Sequence, residues 1–148
     1  MTAPGPDIRR VGRRLLDREL DGGVEPDAIA EVAERAAGKL GQHLSRLIGA
    51  AGYYALLKRA LHLAGREHAF LVPVQPTPTA DGGLDGLRAA IQVVDPERAR
   101  AALVELFSQL VGLLVTFIGQ DLTLRTLRQA WPDLVLDQGD SENQEETV

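Results

Sequence analysis

The sequence predicts an all-α fold, a compact bundle of about five helices with a long central apolar helix. Hydrophobic residues make up 45% of the 148-residue chain but aromatic residues only 4%, so the core has to consist of Leu, Val, Ile and Ala. That composition favours close-packed helices over a sheet, which usually draws on aromatic and β-branched residues.

The stretch from Asp95 to Gly119 predicts the central helix. The Asp-Pro pair at residues 95–96 is a strong helix start, because the carboxylate caps free N–H groups and proline suits the first helical position. From residue 101 onward the polar side chains fall on one stripe about 100° wide. We interpret this stripe as a solvent-facing surface or as a small polar seam at an interface; its members are Glu105, Ser108, Gln109 and Thr116. The remaining circumference is apolar and has to be wrapped by other helices, by a second copy or by lipid.

The elements before residue 67 follow from breaks in the apolar pattern. Residues 7–20 predict a short helix ended by an Asp-Gly-Gly sequence. A long helix is expected to open at Pro26 and to run to about Ile48. Another is expected from about Gly52 to Arg66.

The elements after residue 67 include the longest break. Three prolines exclude a helix from the middle of residues 68–83, and we expect this segment to lie against the core, in part extended. A short helix is predicted at residues 84–93. Gly119 is expected to end or bend the central helix, and a last helix covers 120–131 before Pro132. No internal repeat is apparent.

Charge divides the chain into three regions. Residues 1–25 form a flexible or helical basic arm, since residues 7–20 carry five arginines against three acids. Residues 26–136 form the all-α domain, and residues 137–148, with five acidic side chains, form a disordered acidic tail. The net charge of −5 argues against a nucleic-acid partner, which requires a basic surface. The first residues lack the apolar run of a secretory signal, which predicts a cytoplasmic protein, and the scarcity of lysine beside arginine suggests a bacterial origin.

Two groups of residues are candidates for contact with a partner. The first is the arginine-rich arm, whose alternative role is a solvated segment or one folded against the acidic tail. The second is the last helix, where the tryptophan is more typical of a lid on the core than of a binding hot spot. A helix-turn-helix is disfavoured, because its inward positions would fall on two arginines of that helix. The candidate interaction residues are Arg9, Arg10, Arg13, Arg14, Arg125, Arg128 and Trp131.

No motif predicts a catalytic, cofactor or metal site. Cysteine is absent, the three histidines lack metal-ligand spacing, and neither a phosphate-binding loop nor a nucleophile elbow occurs. Residues 101–119 approach the length of a membrane span, but Glu105 and Gln109 lie inside the run and no second span would shield them, so a membrane partner is not expected.

The segment TFIGQDLTLRTLRQAWPD at residues 116–133 resembles a set of small bacterial all-helical proteins. Two further stretches carry the resemblance, GYYALLKRALHLA at 52–64 and GLDGLRAAI at 83–91. In that family, a TFIG-x-DLTLR-type segment ends in Trp-Pro. The resemblance covers about residues 40–133 and implies a bacterial cytoplasmic protein, without implying an activity, cofactor or catalytic residue.

These observations lead to three functional hypotheses. We expect a non-catalytic helical protein–protein interaction or regulatory module of a bacterial cytoplasmic pathway, self-associating as a homodimer or another homo-oligomer. The first alternative is a small-ligand-binding protein or enzyme with a pocket among the helices, using Glu105, His62 or Tyr54. The second is a membrane-active protein that releases its apolar helix.

Overall fold

The computed structural model describes residues 10–14, 26–77 and 83–132, and within them the all-α prediction is confirmed. The acidic tail and arm residues 1–9 and 15–25 lie outside the described residues. The elements are a helical segment at residues 10–14, helix α1 (Pro26–Glu67), a 3-10 helix (Ala69–Leu71), strands β1 (Gln75–Pro76) and β2 (Leu84–Asp85), and helices α2 (Leu87–Gln92), α3 (Pro96–Ile118) and α4 (Gln120–Ala130).

Helix α1 is two helices joined at a bend. Gly49 has φ 83° and ψ 158°, which is outside the helical region and open only to glycine. The prediction of one helix ending near Ile48 and another starting near Gly52 is therefore confirmed. The parts of α1 before and after Gly49 contact each other through Tyr53, whose buried hydroxyl donates a hydrogen bond of 2.7 Å to the Ala37 carbonyl oxygen.

The segment between α1 and α2 lies against the core, as expected. Leu71 and Val74 are buried, and β1 pairs with β2 in antiparallel register, with Gln75 opposite Asp85. This pairing draws Leu84 into a strand, so the short helix begins three residues later than its predicted start at residue 84. Gly86 precedes α2 with φ 86°, a turn conformation that glycine adopts without strain.

Helix α3 is the centre of the fold. The Asp95 carboxylate accepts a 2.8 Å hydrogen bond from the Arg98 N–H, so the predicted N-cap is confirmed. Every residue from Ala102 to Val111 is buried, and α1 is the main element packed against it. Gly119 ends α3 with φ 92° and ψ 159°, and α4 begins at the next residue.

The chain consists of two halves of similar architecture, which meet between residues 77 and 83. This repeat was not predicted from the sequence. In each half a long helix opens at a proline, Pro26 or Pro96, runs 23 residues to an isoleucine and then bends at a glycine. The bending glycines, Gly49 and Gly119, are 70 positions apart and have nearly the same backbone angles. We call these two bends the elbows.

Burial follows the same 70-residue offset. Leu40 and Leu44 in the first half correspond to Leu110 and Leu114 in the second, and all four are buried. Just before the elbows, Leu47 and Phe117 are equivalent and both exposed. Beyond the elbows, Tyr53 and Thr123 are equivalent and both buried.

Short helical segments contact the long helix of the other half. The helical segment at residues 10–14 approaches α3 at Val104 and Ser108. Helix α2 of the second half packs on α1, and Arg88 forms an ion pair of 3.7 Å with Glu34, the equivalent of Val104. Each long helix thus contacts a short helical segment from the opposite half, although these two segments are not equivalent at the 70-residue offset.

Candidate functional site

The polar stripe of α3 is a buried seam and not a solvent-facing surface. Glu105, Ser108 and Gln109 are all less than a tenth exposed, and Thr116, in the last turn, is exposed. The Gln109 side-chain amide donates a 2.8 Å hydrogen bond to Glu105 Oε2. The burial of Glu105, Ser108 and Gln109 rules out the solvent-facing interpretation for these three residues, and a polar seam at an interface stays a prediction.

The cover over this seam is the helical segment at residues 10–14. A Cβ atom added at Gly12 would lie 2.5 Å from Ser108 Oγ and 3.0 Å from the Val104 carbonyl oxygen, so only glycine allows this approach. The Ser108 hydroxyl is buried without a hydrogen-bond partner among the described residues. This contact could not be predicted from the sequence, because an isolated glycine in a short amphipathic segment does not identify what it packs against.

The arginines of the arm surround this contact. Arg10 and Arg13 are exposed and Arg14 is half-buried, while Arg9 lies outside the described residues. This part of the arm is therefore a packed helical turn that presents guanidinium groups at its outer side. Its role in binding stays a prediction.

The second group of predicted interaction residues lies on α4 and directly after it. Arg125 and Arg128 are exposed on α4, where they line an open concavity of about 580 Å³. Trp131 is buried, with the ammonium group of Lys39 5.4 Å from its ring centroid. The indole therefore closes the core beneath a cation–π contact, and the two arginines are the members of this group that face solvent.

Apolar side chains are exposed at the elbows. Phe117 is 64% exposed and Leu47 48% exposed. Within the described residues, Val72 and Val93 are the other large apolar side chains that are exposed. Two equivalent exposed apolar residues, each just before a rigid bend, form the most regular apolar feature of the described surface.

The residues considered for catalysis do not meet in one cavity. His62 lines a small cavity at the end of α1, which is lined by neither Glu105 nor Tyr54. Glu105 lies in the seam of α3. Burial raises the pKa of the Tyr53 hydroxyl far above its ordinary value, so this neighbour of Tyr54 is a neutral donor and not a proton-transfer group.

Two other kinds of site concern the described residues, namely a metal centre and a membrane span. No group of three or more His, Asp or Glu side chains is arranged to hold a metal ion there. Helix α3 has the length and hydropathy of a membrane span, and 67% of its most apolar window is buried inside the chain. The same properties occur in the core helix of a soluble protein.

The chain matches no family model, and no curated protein or solved structure is significantly similar to it.

Proposed function

We propose that this chain is a non-catalytic helical protein–protein interaction module of a bacterial cytoplasmic pathway and that it self-associates through its elbows. The observation that carries the proposal is the exposure of Phe117, at 64%, in the last turn of a helix that is buried from Ala102 to Val111. Its equivalent in the other half, Leu47, is exposed as well. Burial of such side chains stabilises an interface by roughly 1.5–3 kcal/mol each.

A second copy is the occupant that this surface favours. Most of the apolar surface of α3 is already covered within the chain, whereas the elbows expose Leu47 and Phe117. In a two-fold symmetric interface the same patch occurs on both partners, and an apolar patch is complementary to its own copy. The exposed arginines of α4, Arg125 and Arg128, then provide a charged surface for an acidic protein partner.

Light scattering on the full chain during size-exclusion chromatography tests the self-association. We expect a mass near twice the 16.0 kDa of one chain at high protein concentration. Phe117→Ser should weaken the dimer at least about tenfold, because one apolar side chain per copy loses its burial. Val93→Ser is the control, since Val93 is an exposed apolar residue, at 77%, that belongs to neither elbow.

Three outcomes decide the matter. Loss of the dimer in the Phe117 variant with an unchanged Val93 variant supports the proposal. A wild-type chain that stays monomeric across the concentration range overturns self-association. Equal weakening by both variants overturns the assignment of the interface to the elbows.

A further inference from the structure

A cavity of about 150 Å³ lies between the end of α1 and the segment that leads into β1. Its inner wall is apolar and buried, formed by Leu61, Val74 and Pro76. Gly65 borders it from α1 without a side chain of its own, which leaves room between the helix and Val72. An apolar cavity of about 150 Å³ accommodates one benzene-sized ring.

The outer rim of this cavity is polar and carries one lysine. Lys58 and His62 both line it, and they lie one turn apart on the same face of α1. Both side chains are exposed, so the ammonium group can reach a ligand without leaving water. The opposite side of the rim carries Val72, which is 65% exposed and would be covered by a bound molecule.

We propose that this cavity binds a small monocarboxylate with a compact apolar body, of the size of benzoate. The apolar body fits against Leu61, Val74 and Pro76, and the carboxylate lies at the rim, where the Lys58 ammonium donates to it. The volume is below the roughly 300–1,000 Å³ of pockets for drug-sized molecules, so nucleotides and long acyl chains are excluded. This inference goes beyond the proposed function and does not depend on self-association.

A titration of the isotope-labelled full chain with sodium benzoate, followed by amide chemical shifts, tests the site. We expect saturable shifts confined to residues 58–65 and 72–76. Lys58→Gln should weaken binding about two- to fivefold, the range that one exposed ion pair provides. Arg59→Gln is the matched control, because Arg59 has the same charge on the same helix but does not line the cavity; it should change the affinity less than twofold.

A second variant tests the apolar part of the cavity without disturbing the fold. A Cβ atom at Gly65 would lie 3.5 Å from Val72 Cγ2, an ordinary contact, so Gly65→Ala should fold normally and narrow the cavity. We expect it to weaken benzoate binding while the melting temperature stays at or above that of the wild type. Benzyl alcohol, a neutral molecule of similar shape, should bind more weakly than benzoate to the wild-type chain.

Each contrary result overturns the proposal. Absence of shifts up to the solubility limit of benzoate shows that the cavity does not take such a ligand. Equal losses in the Lys58 and Arg59 variants indicate non-specific attraction of an anion. Equal affinity for benzyl alcohol and benzoate shows that the carboxylate does not contribute to binding.

Discussion

Glycine has two different roles in this chain, distinguished by backbone angle and by distance to neighbours. Gly49 and Gly119 have φ values of 83° and 92° with open space around them, so their role is conformational. Gly12 instead lies so close to Ser108 and Val104 that no side chain fits, so its role is steric. The bend at Gly119 could be anticipated from its place between two apolar periodicities, whereas the contact at Gly12 could not.

At this scale we expect Gly49→Ala and Gly119→Ala to destabilise the fold by about 1–3 kcal/mol each. Alanine is strained at a positive φ with ψ near 158°, although the space for its methyl group is free. Urea unfolding followed by circular dichroism measures the effect. Gly65→Ala is the control, because Gly65 is helical and the substitution should stabilise the chain by up to about 1 kcal/mol. If the Gly49 and Gly119 variants are as stable as the wild type, the native state does not contain these positive-φ bends.

At the scale of elements, α3 shows how far an apolar pattern can be interpreted. The Asp95 cap, the start at Pro96 and the end at Gly119 were all predicted, because each depends on local chemistry. The element that covers each face of α3 could not be predicted, because the polar stripe is compatible both with exposure to solvent and with a hydrogen-bonded seam. The Glu105–Gln109 hydrogen bond offsets part of the cost of burying these two side chains.

Two substitutions on α3 should have opposite outcomes. Leu110→Asp puts a carboxylate at a fully buried position and should cost more than about 4 kcal/mol, enough to prevent soluble folding. Phe117→Asp, seven residues further along the same helix, should leave the melting temperature within a few degrees of the wild type at protein concentrations where both chains are monomeric, because Phe117 is exposed in the monomer. Soluble yield and thermal melts measure both. Normal melting of the Leu110 variant would show that α3 is not the core helix.

At the scale of the whole molecule, the fold is a pair of similar halves whose long helices, α1 and α3, pack against each other. The helical segment at residues 10–14 of the first half contacts α3, and α2 of the second half packs on α1. The packing is therefore reciprocal, because each half buries apolar surface of the other.

This arrangement predicts that a chain divided between residues 77 and 83 reassembles. When both fragments are co-expressed, a tag on the first should recover the second in equal amount, because each supplies the cover that the other lacks. Each fragment expressed alone should be insoluble or unfolded, as its long helix exposes an apolar face. The same experiment with Leu110→Asp in the second fragment is the control and should abolish recovery. A fragment that is folded and monomeric by itself would contradict the reciprocal packing.

The sequence by itself determined the all-α class, the Asp95 cap and the bend at Gly119, because these depend on composition and on side-chain chemistry within one or two turns. It also determined that residues 101–114 are wrapped by protein on most sides, since so much apolar surface cannot stay in water. The tertiary structure alone decided the repeat of the two halves, the burial of Glu105 and Ser108, and the cavity beside Lys58. The same packing position can be filled by apolar residues of different size. Alanines in one half and leucines in the other therefore occupy equivalent positions, and no repeat is visible in the amino-acid sequence.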